Sequence, residues 1–67
     1  MPFVNVKMAE VPMTAEQKEK VIAGITEVLH RELGKKPESI LVLLEEYPAD
    51  SWGKNGTTLP KFWASQK

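Results

Sequence analysis

The chain of 67 residues has no cysteine, a single histidine and a single arginine. Without cysteine there is no disulfide, no thiolate nucleophile and no cysteine-bound zinc. One histidine, His30, cannot build a histidine-rich metal site, so neither metal nor cofactor is expected. Nine basic side chains are cancelled by nine acidic ones, and the longest basic run is Lys35-Lys36. With no phosphate track, nucleic acid is not an expected partner. No stretch is long or apolar enough to span a membrane, and no signal-peptide pattern opens the chain. A cytoplasmic location without membrane association is therefore the expectation. A chain this short makes at most one domain, taken here as residues 1–67, and is marginal alone. With disulfide and metal staples excluded, oligomerisation is the remaining common route to stability.

What is present reads as strand, helix, strand. Phe3 to Met8 places Val4, Val6 and Met8 on one face at period two, and Asn5 and Lys7 on the other. Thr14-Ala15-Glu16-Gln17 is a capping box. Val21, Ile22, Ile25, Val28, Leu29 and Leu33 follow at spacings of three and four, a core-facing stripe. Gly34 suits a left-handed cap and Pro37 prevents the helix from resuming, which predicts a helix from Ala15 to Leu33. Ile40 to Leu44 is a continuous apolar run, which predicts a strand buried on both faces. The connection predicts a right-handed parallel βαβ unit. One helix cannot cover both faces of that second strand, so the uncovered face must meet another chain.

Asn55-Gly56 signals a tight turn, with Lys54 immediately before it and Thr57-Thr58-Leu59 as a short hairpin arm. Phe62 and Trp63 in the short tail from Pro60 to Lys67 suggest docking onto a neighbouring subunit. At the other end, removal of Met1 would leave Pro2 with a free secondary amine, the only proline nitrogen that takes up a proton.

Met1-Pro2 opening a strand, Thr14-x-Glu16-Gln17-Lys18 at the helix start, a strand ending Glu45-Glu46, and Trp52-Gly53-Lys54-Asn55-Gly56 resemble the 4-oxalocrotonate tautomerase family over about residues 1 to 59. The resemblance implies an α/β fold. A short βαβ protomer with a C-terminal hairpin oligomerises through its sheet into a homo-oligomer, typically a hexamer. One sheet face lies under the helices and the other at the centre of the assembly. It also implies active sites built from more than one subunit. The chemistry implied is cofactor-free proton transfer between enol and keto forms of a small 2-oxo acid, with Pro2 as general base. That role needs a largely neutral amine, which apolar surroundings favour. Val4, Met8 and Trp52 are the candidates to supply them.

The family's two substrate-binding arginines have no counterpart. The stretch before the helix reads Glu10-Val11-Pro12-Met13, and the position early in the second strand is Leu41. The one arginine, Arg31, falls on the helix face away from the apolar stripe. A bidentate clamp cannot be replaced by apolar side chains. Lys54 is the substitute cation we single out, to bind the substrate carboxylate or to lower the Pro2 pKa, although a lysine before Asn-Gly is usually a solvated turn residue. Trp52 serves as pocket wall, as interface packing, or both. His30 reads as surface. Glu45 and Glu46 read as the solvated end of a strand, and Tyr47 as either a hydrogen-bond donor near the site or part of a turn. Two other functions fit the same residues. One is hydration or dehalogenation of an unsaturated acid, with protonated Pro2 as acid and Glu45 or Glu46 activating water. The other is a non-catalytic oligomeric scaffold, the reading that a retained Met1 favours.

Overall fold

The computed structural model describes residues 1–66. Strand β1 (Phe3–Ala9) has the expected period: Val4, Val6 and Met8 are half-buried, while Phe3, Asn5 and Lys7 are exposed. Helix α1 (Ala15–Leu33) has the limits its local chemistry dictates. The Gln17 N–H donates to Thr14 Oγ1 at 3.0 Å, and the Thr14 N–H donates to Gln17 Oε1 at 2.8 Å. Two donors otherwise orphaned at a helix start are thereby satisfied. At the far end Gly34 adopts φ 66°, and its N–H returns to the His30 carbonyl at 3.0 Å.

Strand β2 (Leu41–Tyr47) lies parallel to β1, in a register running from Phe3 opposite Leu41 to Ala9 opposite Tyr47. The Leu41 N–H donates to the Pro2 carbonyl at 3.0 Å, and the Glu10 N–H to the Tyr47 carbonyl at 2.7 Å, so the ladder continues at both ends. The strand therefore sits later than the apolar run implied. Ile40 precedes it, because the Ile40 N–H closes the 3₁₀ turn Pro37–Ser39 on the Pro37 carbonyl at 3.2 Å. Glu45, Glu46 and Tyr47 stay in the ladder opposite Lys7, Met8 and Ala9.

Only one face of the sheet is covered. Helix α1 packs across β2, where Val42 and Leu44 are half-buried, as are Ile25 and Leu29 on the helix. Ile40, at 9% exposure, is the one apolar side chain among the described residues that counts as buried. On the other face Phe3 is 62%, Leu41 51% and Leu43 46% exposed. The run Ile40 to Leu44 is thus not buried on both faces within this chain. The helix stripe is likewise only partly core, since Val21, Ile22, Val28 and Leu33 remain exposed. The protomer has 5217 Å² of accessible surface at 7.5 kDa. A compact monomer of that mass would expose about 4,250 Å².

Beyond β2, a 3₁₀ turn (Ala49–Ser51) leads into a hairpin of β3 (Gly53–Lys54) and β4 (Thr57–Thr58), paired Gly53 to Thr58 and Lys54 to Thr57. Asn55 and Gly56 take φ 55° and 78°, the left-handed pair that a two-residue hairpin turn requires. Leu59 is not part of the arm. It starts helix α2 (Leu59–Ser65), in whose first turn Pro60 is tolerated. The tail folds back on its own hairpin: α2 packs against the turn at Ala49–Ser51 and against β3 and β4, with Phe62 half-buried and Trp63 exposed. Among the described residues no helix is long and apolar enough to cross a membrane.

Candidate active site

Pro2 sits at the head of β1, half-buried, with its carbonyl held by the Leu41 N–H. That bond ties the base of the pyrrolidine ring to the start of β2. Met1 beyond it is exposed. While Met1 is attached, the Pro2 nitrogen is an amide with neither a proton nor a usable lone pair. Val4, two residues on, lies on the covered face. Leu41, which stands where the resemblance placed an arginine, is directly opposite Phe3 on the bare face.

The other candidates are elsewhere in the protomer. Met8 is half-buried opposite Glu46, six residues along β1 from Pro2. At the usual rise per strand residue that is about 20 Å. Because β1 and β2 are parallel, the segment carrying Trp52 and Lys54 leaves the end of the sheet remote from Pro2. The molecule is accordingly elongated, 43 Å by 23 Å by 19 Å. Within one chain the structure brings Trp52 and Lys54 together and separates them from Pro2.

Trp52 is half-buried beside an open groove of about 470 Å³, lined also by Ser51 and Thr58. Its carbonyl accepts from the Leu59 N–H at 2.9 Å, which locks the hairpin to α2. Its indole Nε1–H is buried with no protein acceptor. Lys54 Nζ lies 4.9 Å from the centroid of the Phe62 ring. Nothing in the spacing of the tail signalled that stack, because it depends on α2 reversing the chain.

A polar cluster that sequence reasoning did not assemble occupies the bare sheet face. Glu45 accepts from Tyr47 Oη at 2.6 Å, from Lys7 Nζ at 2.9 Å and from Asn5 Nδ2 at 2.7 Å. Lys7 also donates to Asn5 Oδ1 at 2.5 Å. The Tyr47 hydroxyl, then the Lys7 ammonium and the Asn5 amide, hold the Glu45 carboxyl down to about 2. Hydrogen bonding to Glu45 raises both Lys7 and Tyr47. The available signal was period two: Asn5 and Lys7 share a face of β1, and Glu45 and Tyr47 share one of β2. The parallel register that joins them was not legible. Glu45 is thus a tethered strand residue rather than a solvated end, and Tyr47 is its donor. Glu46 pairs instead with Lys18 of α1 at 3.3 Å. Arg31 is exposed, bonded to Glu32 at 2.9 Å, and exposed His30 meets the Lys35 carbonyl through Nδ1 at 2.8 Å. Among the described residues no group of three acidic or histidine side chains is placed to hold a metal.

Comparison with known proteins adds four findings. The family model for tautomerase enzymes matches residues 2–61. A probable tautomerase of Dickeya dadantii is 42% identical over 59 residues, covering 88% of each chain. The 2-hydroxymuconate tautomerase of Bacillus subtilis is 37% identical over 59 residues, covering 88% of this chain and 94% of its own. Among solved structures, DmpI from Helicobacter pylori superposes with a TM-score of 0.82 at 29% identity, over 90% of this chain and 98% of that one.

Proposed function

The chain belongs to the tautomerase family and is an isomerase, and from that premise we propose that Pro2, freed by removal of Met1, is its general base. The substrate is a small 2-oxo acid in its enol form. The proline nitrogen takes the enol hydroxyl proton, the carbonyl forms, and the prolinium returns the proton to carbon. No electron acceptor, water or cofactor enters this balance. Lys54 holds the substrate carboxylate, and with backbone N–H groups it stabilises the developing enolate oxygen. Trp52 and Met8 supply the apolar surroundings that keep the amine neutral at working pH.

One observation carries this reading. Pro2 is anchored at the sheet head through its carbonyl, so cleavage of the Met1–Pro2 bond would free a nitrogen without breaking that anchor. The separation of Pro2 from Trp52 and Lys54 then requires a second copy to complete the site. The bare apolar face and the surplus of exposed surface support the same conclusion. We assign residues 1–67 to a single domain acting as a homohexamer in the cytoplasm.

Hydration or dehalogenation through Glu45 is disfavoured. A carboxylate held down to about 2, with three donors on its oxygens, is a poor base for activating water. The test follows ketonisation of phenylenolpyruvate by wild type and Pro2→Ala, with Met1 removal checked by intact mass. Rapid turnover by trimmed wild type and a large loss in Pro2→Ala are expected. Equal, near-background rates would sink the proline base, and so would a retained Met1.

A further inference from the structure

Lys54 is held differently from the lysines of β1 and α1. Lys7, Lys18 and Lys20 each meet a carboxylate, at 2.9, 3.3 and 3.3 Å. Lys54 pairs with no carboxylate among the described residues, and its ammonium sits over the Phe62 ring. The difference is chemical. A carboxylate partner would cancel the lysine charge, whereas an aromatic face attracts the cation through its quadrupole and leaves the charge uncompensated. A four-carbon side chain also loses rotamer freedom when it binds an anion, and a ring that already restrains it reduces that loss.

The backbone is arranged to make the stack. The Asn55-Gly56 turn pairs Lys54 with Thr57, and β4 runs directly into α2. The Leu59 N–H bond to the Trp52 carbonyl fixes the first turn of that helix. Phe62 lies one turn later and is half-buried, while its neighbour Trp63 is exposed.

We propose that Phe62 is a positioning residue for substrate binding: its ring holds the Lys54 ammonium, still charged, in the place where it receives the carboxylate of the 2-oxo acid. This rests on the reading of Lys54 as the carboxylate ligand. The test uses the full chain and two probes that do not react, 3-phenylpropanoate and the uncharged 3-phenylpropanamide, with binding followed by calorimetry. Phe62→Leu keeps the apolar bulk and removes the quadrupole. It is expected to weaken 3-phenylpropanoate roughly two- to fivefold and leave the amide unchanged. Phe62→Trp restores binding. In a Lys54→Ala background, Phe62→Leu adds nothing. The Lys54 Hε resonances, shifted upfield by the ring in wild type, return to their unstacked position in Phe62→Leu.

Equal losses for acid and amide, or a loss that persists without Lys54, would show a merely structural ring and overturn the proposal. If Lys54→Ala weakens 3-phenylpropanoate but Phe62→Leu does not, the positioning role alone falls. If Lys54→Ala leaves acid binding unchanged, or wild type binds neither probe at millimolar concentration, the carboxylate-ligand reading falls and takes this one with it.

Discussion

Lys7 and Glu45 face each other directly across the parallel register of β1 and β2, Nζ to Oε1 at 2.9 Å, on the face that α1 leaves bare. With Tyr47 and Asn5 also donating, Glu45 favours its charged form in the folded chain far more than its ordinary value of 4.5 would indicate. A depressed carboxylate contributes stability that is fully present above its unfolded pKa and is lost as pH falls through the folded one. Stability should therefore decline between about 4.5 and about 2. In Glu45→Gln this acid limb should flatten. Urea midpoints across that range check it, and parallel curves for the two proteins would count against the cluster.

Lys7 and Tyr47 predict the opposite limb. Both are raised by Glu45, from ordinary values of 10.5 and 10.0. Their contribution is present below those values and is lost as pH rises through the folded pKa. In Tyr47→Phe the hydroxyl is gone, so the alkaline decline should become shallower, and a spectroscopic titration should show no late-ionising phenol. An unchanged alkaline limb in Tyr47→Phe would remove tyrosine from the account.

Two glycines of the helix region should respond to alanine with opposite signs. A Cβ at Gly24 or at Gly34 meets nothing within 4 Å, so sterics decide neither case. Gly24 is inside α1, where alanine should stabilise by roughly 0.5–1 kcal/mol. Gly34 sits at φ 66°, where alanine should cost about 1 kcal/mol. Denaturant unfolding of the two variants checks the signs, and a shared sign would contradict the cap geometry.

The limits of α1 were legible because every signal is local: Thr14 with Gln17 at the start, Gly34 and Pro37 at the end. The period-two face of β1 was legible for the same reason. The span of β2 was not, since Glu45 is held by Lys7 and Asn5, about forty residues away in sequence, and the Tyr47 carbonyl by the Glu10 N–H. Ile40 looked like a strand residue by composition, and a 3₁₀ turn claims it instead. Helix α2 was hidden by its length and by a proline in its first turn. Of the candidate site, the residue types at Pro2, Trp52 and Lys54 could be named from the chain. Their separation follows from the parallel βαβ unit that the chain itself predicts, whereas the stack of Lys54 on Phe62 depends on helix α2, which it does not.

Leu43 tests the bare face. It lies between the apolar end of that face, with Phe3 and Leu41, and the Glu45 cluster. A lysine placed there would be buried unpaired in any assembly that covers the face, at a cost that disrupts association. Leu43→Lys should elute at a smaller mass by light scattering and lose turnover with it. Unchanged mass would mean that the face stays open to solvent.

Pro2 lies at the head of the β1–β2 sheet and Lys54 in the separate hairpin that follows the other end of β2, so the proposed site draws on two chains. Complementation between inactive subunits reads this directly. Pro2→Ala removes the proposed base, and Lys54→Glu places a negative charge at the proposed carboxylate ligand; each alone should be nearly inactive. Co-refolded in equal amounts, they mix at random, and about a quarter of two-subunit sites should pair an intact Pro2 with an intact Lys54. Activity of that order should appear in the mixture and in neither parent. A site built within one chain would gain nothing from mixing, because every chain carries a lesion. The mixing experiment thus separates a shared site from an isolated one without knowledge of the natural substrate.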